Sequence, residues 1–565
     1  MNKNIDITKE YKKYIVPKSN ESMEAYCYPK KFTLQSQQLF LADFLSNKHS
    51  PWKIYDHIRG ILIYHQIGSG KTCTSITIAE RFKTTYKIII VLPASLINNF
   101  KDELQSLCTG EEYITNDERK KLENLDENNI LYKKILEKVN KKINKYYTIY
   151  SYHKFINLIE TNKLKNLNDS LLIIDEIQNM ISLDGIFYKN LKNIIRSSNK
   201  NLKLLLLSAT PMFDKPIEIA LTLNLLTIND IFDIESFNNT YVKRLTKNVY
   251  KIKNVDEFKE KIKYLISYYR GAPPQAYPKT NFKISKCLMN DFQYKGYLLS
   301  LRETTKNESL ENTDIMSIPK NFFLGPRMMS NVVFPNKQIG EKGANSFKGE
   351  HLQLQNICTY SIKFYKILTR LNKSDGPCFV YSNFKNFGGI AGFIKFIEYH
   401  KWKNYKTNDI GSKRFAIWSS DESDEYKKKI KSVFNNKNNI YGDDIKLIIG
   451  SPSIKEGVTL LRVRQVHIME PYWNISRLTQ IMGRAIRFCS HKDVEKNRRQ
   501  VDVYLYLAVS DKSRTIDKYI WSLAKKKYNL ISQFEHALKE SAFDCNIFFN
   551  RNSFKTDELP LKCIK

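Results

Sequence analysis

The chain has no C-x-x-C pair. Its nine cysteines, at positions 27, 73, 108, 287, 358, 378, 489, 545 and 563, are scattered over 565 residues. Zinc sites and disulfide frameworks announce themselves through short cysteine spacings, so neither is expected and a reducing compartment fits. No apolar stretch reaches the length that crosses a bilayer. The first residues, MNKNIDITKEYKKYIVPK, lack the apolar run of a secretion signal. With no lipidation site or concentrated basic amphipathic helix, no membrane attachment is expected. Repeats of solenoid period are absent. Acidic residues are scarce, 58 Asp and Glu against 91 Lys and Arg, a formal net charge of +33. An excess of that size, spread along the whole chain, points to a polyanion partner, nucleic acid foremost.

At this length several domain-sized units are expected. Short apolar runs recur between charged helical segments: ILIY (61–64), KIIIVL (87–92), YYTIYS (146–151), LLIID (171–175) and LKLLLLS (202–208). They do not alternate apolar with polar residues, which is the pattern of parallel strands covered on both faces. A second set follows: CFVYS (378–382), FAIWSS (415–420), IKLIIGS (445–451), VRQVHIME (463–470) and VDVYLYLAVS (501–510). The fold class is therefore α/β, with two parallel-sheet lobes. The charged stretch 116–147 reads as helices inserted in the first lobe. The expected divisions are an N-terminal segment 1–29, a first lobe 30–225, a linker with an inserted subdomain 226–350, a second lobe 351–510 and a helical extension 511–565.

One stretch carries chemistry directly. YHQIGSGKTCT (64–74) holds a phosphate-binding loop, Gly68, Ser69, Gly70, Lys71 and Thr72, between an expected strand and an expected helix. Backbone N–H groups of such a loop surround phosphate oxygens, Lys71 reaches the β and γ phosphates, and the Thr72 hydroxyl binds Mg²⁺. The usual pattern has Gly where this chain has His65. The run ending in Asp175-Glu176-Ile177-Gln178 puts two carboxylates at the end of a buried strand. A buried carboxylate is costly unless it meets a cation or donors. Asp175 is expected to hold Mg²⁺, and Glu176 to orient or deprotonate the attacking water. ATP and Mg²⁺ are the expected ligands.

Taken in order, the motifs resemble those of superfamily 2 helicases and translocases. Ser208-Ala209-Thr210 resembles motif III. VLPASLINNF (91–100) resembles motif Ia of the Swi2/Snf2-like group, and TIYSYHKF (148–155) motif Ib. LQSQQ (34–38) is similar to the adenine-side glutamine motif, with Gln37 as the reader. GPCFVYSNFKNFGGI (376–390) resembles motif IV and IIGSPSIKEGVTLLRVRQVHIMEPYWN (448–474) motif V. Gln480 to Arg487 fits Q-x-x-G-R-x-x-R, motif VI. More narrowly, 455–491, YYRGAPPQAYP (268–278) and KESAFDC (539–545) resemble the superfamily 2 ATPases of large nucleocytoplasmic DNA viruses. That group includes poxvirus nucleoside triphosphatase I and the early transcription factor small subunit, and His is common there at the position of His65. The D-E-x-Q ending at Gln178 departs from the D-E-x-H of the poxvirus relatives.

The resemblance implies two RecA-like lobes and a DNA-stimulated ATPase of viral transcription, in the virion and the host cytoplasm. A viral RNA polymerase or another transcription factor subunit is the implied protein partner. Arg487 is the expected arginine finger, delivered on lobe closure, and Arg484 a contact to phosphate or to the Glu176 region. Gln178, Ser208, Thr210, Gln480 and Gly483 are expected to couple the motifs. Asn98, Ser151, Tyr152 and Lys455 are the nucleic-acid candidates, with Tyr152 and Tyr381 placed to stack on bases. Two alternatives stay open: an RNA helicase proper, and a promoter-binding transcription factor subunit with a secondary ATPase.

Overall fold

The computed structural model describes residues 6–18, 22–126, 129–305, 322–408, 410–455, 458–554 and 559–564. The chain divides into two compact units. The first comprises 1–21, 28–273 and 530–565; the second comprises 22–27 and 274–529. The segment 226–350 thus divides between the units at Pro273, and the C-terminal segment divides at Asn529.

In the first unit, six strands form one parallel sheet: β1 (Gly60–His65), β2 (Lys87–Leu92), β3 (Tyr147–Ser151), β4 (Ser170–Ile174), β5 (Lys203–Ser208) and, after a small antiparallel hairpin of β6 (Val242–Thr246) and β7 (Val249–Ile252), β8 (Ile266–Tyr269). The order is β3-β2-β4-β5-β1-β8. β1 and β4 are buried along their whole length. Their Ile and Leu side chains explain why: each one fully buried contributes roughly 1.5–3 kcal/mol, and only a strand covered on both faces buries all of them. The charged stretch forms two helices as expected, Asn116–Asn124 and Ile130–Asn144. The first is started by a reciprocal cap between Thr115 and Glu118.

The second unit carries seven parallel strands: β9 (Lys279–Leu288), β10 (Cys378–Tyr381), β11 (Lys403–Asn404), β12 (Arg414–Trp418), β13 (Leu447–Gly450), β14 (Gln465–Ile468) and β15 (Gln500–Val509). Their order is β11-β12-β13-β10-β14-β15-β9. Apolar clusters cover both faces of this sheet. One is built around Phe364, Phe393, Phe396 and Val380, the other around Phe379, Ile448, Val466 and Ile481.

The ten strands read from the sequence all form. Among the described residues five further strands form that were not expected: the hairpin strands β6 and β7, the two-residue β11, and β8 and β9. β8 is only four residues long, and β9, KTNFKISKCL, is an edge strand with a mostly exposed face. Neither shows the continuous apolar run used to find the others.

The cysteine reading is corrected. Three disulfides join Cys27 to Cys489, Cys73 to Cys108 and Cys545 to Cys563, and Cys287, Cys358 and Cys378 are free. Two of the pairs span 462 and 35 residues. The fold brings these partners together, so sequence spacing could not reveal them. Among the described residues no helix is long and apolar enough to cross a membrane.

Candidate nucleotide site

Three turns at the carboxyl ends of neighbouring strands build the site in the first unit. β5 lies between β1 and β4. The turns after β1, β4 and β5 therefore share one edge of the sheet, where ligands of open α/β sheets bind. After β1 comes the candidate phosphate loop, which leads into the helix Lys71–Phe82. Gly68 and Gly70 have φ of 83° and 76°. That left-handed backbone suits glycine, and a Cβ on Gly70 would also lie 2.9 Å from Gln38 Nε2.

The helix Ser36–Ser46 braces the loop from behind. Gln37 Nε2 donates to the Ser69 carbonyl at 3.1 Å, and Gln38 Nε2 to that of Gly70 at 3.5 Å. Sequence reading singled out Gln37; Gln38 acts beside it. Gln37 Oε1 and Ser69 Oγ are buried and have no hydrogen-bond partner in the protein. A polar ligand is what would satisfy such atoms.

After β4, Glu176 takes a left-handed backbone, φ 51°. Its amide donates to Asp175 Oδ1 at 2.9 Å. Lys71 Nζ lies 3.2 Å from Glu176 Oε1. Gln178 Nε2 donates to Glu176 Oε2 at 2.5 Å, and Ser208 Oγ donates to Gln178 Oε1 at 2.6 Å. The amide of Thr210 closes on Ser208 Oγ at 3.0 Å. One continuous hydrogen-bonded chain thus joins Lys71, Glu176, Gln178, Ser208 and Thr210. The hard oxygens of Thr72 and Asp175 are donors of the type that Mg²⁺ takes.

His65 is fully buried at the end of β1. Its Nε2 lies 3.0 Å from Ser267 Oγ on β8, and Ser267 donates to Asp544 Oδ2 at 2.5 Å. Burial first, and the Lys71 charge second, hold the imidazole pKa down to about 3, so it is neutral. Burial pushes the Asp544 carboxyl up to about 7 against the lowering effect of its Ser267 and Tyr268 hydrogen bonds. Sequence reading did not single out Ser267 or Asp544. The quoted strings at 268–278 and 539–545 were the one signal that pointed near them.

Motif VI lies in the second unit. Its helix Ile475–Met482 is capped by Asn474 and ends at Gly483. Arg484 Nη1 donates to the Val458 carbonyl at 3.4 Å, and Arg487 Nε to that of Gly483 at 2.8 Å. Gln480, on the same helix, is half-buried.

The nucleic-acid candidates fare unevenly. Asn98 is exposed on the helix Ile97–Leu104. Ser151 caps the helix Tyr152–Glu160 by accepting from the Lys154 amide. Tyr152 is buried, and its hydroxyl donates to the carbonyls of Asp175 and Glu176. Its role as a base-stacking face is corrected to that of a prop for the acidic turn. Tyr381 is fully buried in β10, so it offers no face to a base. Lys455 ends a short turn of helix, and its side chain lies outside the described residues.

The chain is similar to known proteins. Residues 31–213 match the family described as type III restriction enzyme, res subunit, and residues 361–489 match the helicase conserved C-terminal domain. A protein of Acanthamoeba polyphaga mimivirus, named as an ATP-dependent RNA helicase, R563, is 47% identical over 98% of this chain and 96% of its own length. A termination factor NPH-I homolog of African swine fever virus is 26% identical over 87% of this chain and 77% of its own. The Sulfolobus solfataricus SWI2/SNF2 ATPase core in complex with double-stranded DNA is 16% identical, covering 93% of this chain and 98% of that one with a TM-score of 0.34. With paired helicase domains and a full-length viral relative at that identity, the chain belongs to the superfamily 2 helicases of large DNA viruses and is a helicase-type, nucleic-acid-dependent ATPase.

Proposed function

We propose that this ATPase is a motor on DNA that serves viral transcription, in the viral factory and packaged in the virion. The observation that carries the hydrolytic part is the bonded chain from Lys71 through Glu176 and Gln178 to Ser208. Gly68 to Thr72 cradle the phosphates, with Gln37 on the adenine side. Thr72 and Asp175 would hold Mg²⁺, which neutralises phosphate charge when bound. Glu176 accepts a proton from water as the water oxygen bonds to the γ phosphorus and the bond to the β–γ bridging oxygen breaks. ADP and phosphate leave. Arg484 and Arg487 supply positive charge to the transition state. Gln178, Ser208, Thr210, Gln480 and Gly483 pass the state of the nucleotide to the rest of the chain. Asn98, Ser151 and Lys455 belong to the nucleic-acid surface.

Three observations support DNA and transcription: the +33 charge, the Swi2/Snf2-like motif Ia, and the relative named as a termination factor. The name of the mimivirus relative favours a second reading, an RNA helicase proper. Steady-state turnover with duplex DNA, single-stranded DNA and RNA, paired with strand displacement, separates the two. Stimulation by duplex DNA without unwinding supports the first. RNA-stimulated turnover with duplex-RNA unwinding selects the second. A viral RNA polymerase or a transcription factor subunit is the expected partner.

A further inference from the structure

The C-terminal segment grips β8 along its length, all within the first unit. The Phe543 amide donates to the Ile266 carbonyl at 3.0 Å. Asp544 accepts from the Ser267 hydroxyl and, at 2.9 Å, from the Tyr268 amide. Asn552 donates to the Tyr268 carbonyl and accepts from the Arg270 amide, each at 2.9 Å. β8 in turn grips the start of the phosphate loop. His65 pairs with Tyr269 in the sheet, the Gln66 amide donates to the Tyr269 carbonyl at 3.0 Å, and the Ser69 amide donates to the Gln66 carbonyl at 3.2 Å.

The side-chain chemistry runs along the same path. An ionised Asp544 accepts the one proton of the Ser267 hydroxyl. The serine oxygen is then an acceptor, and His65 must donate to it from Nε2. That fixes the tautomer and leaves Nδ1 without a proton; this atom is buried and has no partner in the protein. His65, Ser267 and Asp544 are all fully buried. Where most phosphate loops have a free glycine turn, this chain has an imidazole held in one orientation and, while Asp544 is ionised, in one tautomer.

We propose that Ser267 and Asp544 are positioning residues for ATP turnover, acting on the phosphate loop through His65. This rests on the reading of Gly68–Thr72 as that loop. A loop held in place binds nucleotide equally before and during reaction, so its loss shows in KM more than in kcat.

The test uses the full chain. Ser267→Ala, Asp544→Asn and His65→Gln are each expected to raise KM for ATP about tenfold with kcat within about twofold. His65→Gln/Ser267→Ala is expected to be no worse than either single variant, as for residues that act as one unit. Ser267→Thr keeps the hydroxyl and is expected to keep the wild-type KM. Selective ¹⁵N-histidine spectra of the unaltered protein at about pH 8.5, with His65 assigned by its loss in His65→Gln, should show a neutral ring protonated at Nε2. KM within twofold of wild type in Ser267→Ala, or a ring protonated at Nδ1, overturns the proposal. Lys71→Ala is run in parallel. If it abolishes turnover while Ser267→Ala changes nothing, the relay alone fails; if turnover survives it, the phosphate-loop reading falls and the relay with it.

Discussion

Lys71 and Glu176 hold one another. The Lys71 ammonium lies 3.2 Å from a Glu176 carboxylate oxygen, with both side chains mostly enclosed. The cation assigned to the γ phosphate thus neutralises the carboxylate assigned to the water. On the proposed roles, a phosphate arriving at Lys71 would compete for that ammonium and free Glu176 at the moment it has a water to act on. The other carboxylate oxygen stays held by Gln178, which keeps the group aimed.

Glu176→Gln follows from that exchange. It removes the base and the negative partner of Lys71 together. Turnover should fall roughly 10²–10⁴-fold, while ATP affinity is kept or tightened because Lys71 no longer leaves an ion pair to meet phosphate. Nucleotide binding and single-turnover hydrolysis check both parts. A variant that loses ATP binding would contradict the exchange.

Buried histidines set the acid limit of stability. Burial holds His65, His467 and His491 down to about 3. Above the ordinary value of 6.5 both folded and unfolded chains are neutral at these sites. Below it the unfolded chain binds protons that the folded chain refuses, so stability falls with pH, by on the order of 2 kcal/mol per histidine at pH 5. Asp544 has the opposite sign. Its folded value of about 7 lies above 3.8. The folded chain therefore takes up that proton first, and the cost of the buried carboxylate fades as pH drops through 7. Thermal midpoints of wild type and Asp544→Asn at about pH 8 and pH 5.5 test this. Both proteins should lose stability in acid, with wild type gaining relative to Asp544→Asn. A constant gap would sink the Asp544 assignment.

The three disulfides make a direct chemical prediction. Alkylation of the unfolded, unreduced chain followed by mass spectrometry should label only Cys287, Cys358 and Cys378. Reduction should then lower the unfolding midpoint, since each crosslink contributes about 2–4 kcal/mol and long loops such as Cys27–Cys489 contribute most in the chain-entropy picture. Nine labelled cysteines before reduction would remove the bridges from the account.

Much of the candidate site was legible because its chemistry is local. A phosphate loop needs its glycines, Lys71 and Thr72 side by side, and Asp175 and Glu176 must end a buried strand, so short strings carry both. The order of the strings then gave the two lobes. What stayed hidden depends on contacts across long separations. Ser267 lies 202 residues from His65, and Asp544 a further 277. Cysteine pairing failed for the same reason. Tyr152 and Tyr381 misled because an aromatic beside a motif looks the same in sequence whether its ring faces solvent or packs inside. Yet three of the four marks of viral resemblance, His65, the stretch from Tyr268 and the string ending at Cys545, meet in space at β8. Separate in sequence, they form one structural feature.

The most direct measurement is steady-state ATP hydrolysis by the full chain, wild type beside Lys71→Ala, without nucleic acid and with duplex DNA, single-stranded DNA or RNA, over a range of salt. The expected result is turnover stimulated most by duplex DNA, weakening as salt displaces phosphate contacts, and absent in Lys71→Ala. Turnover that no nucleic acid stimulates, or that survives Lys71→Ala, would contradict it.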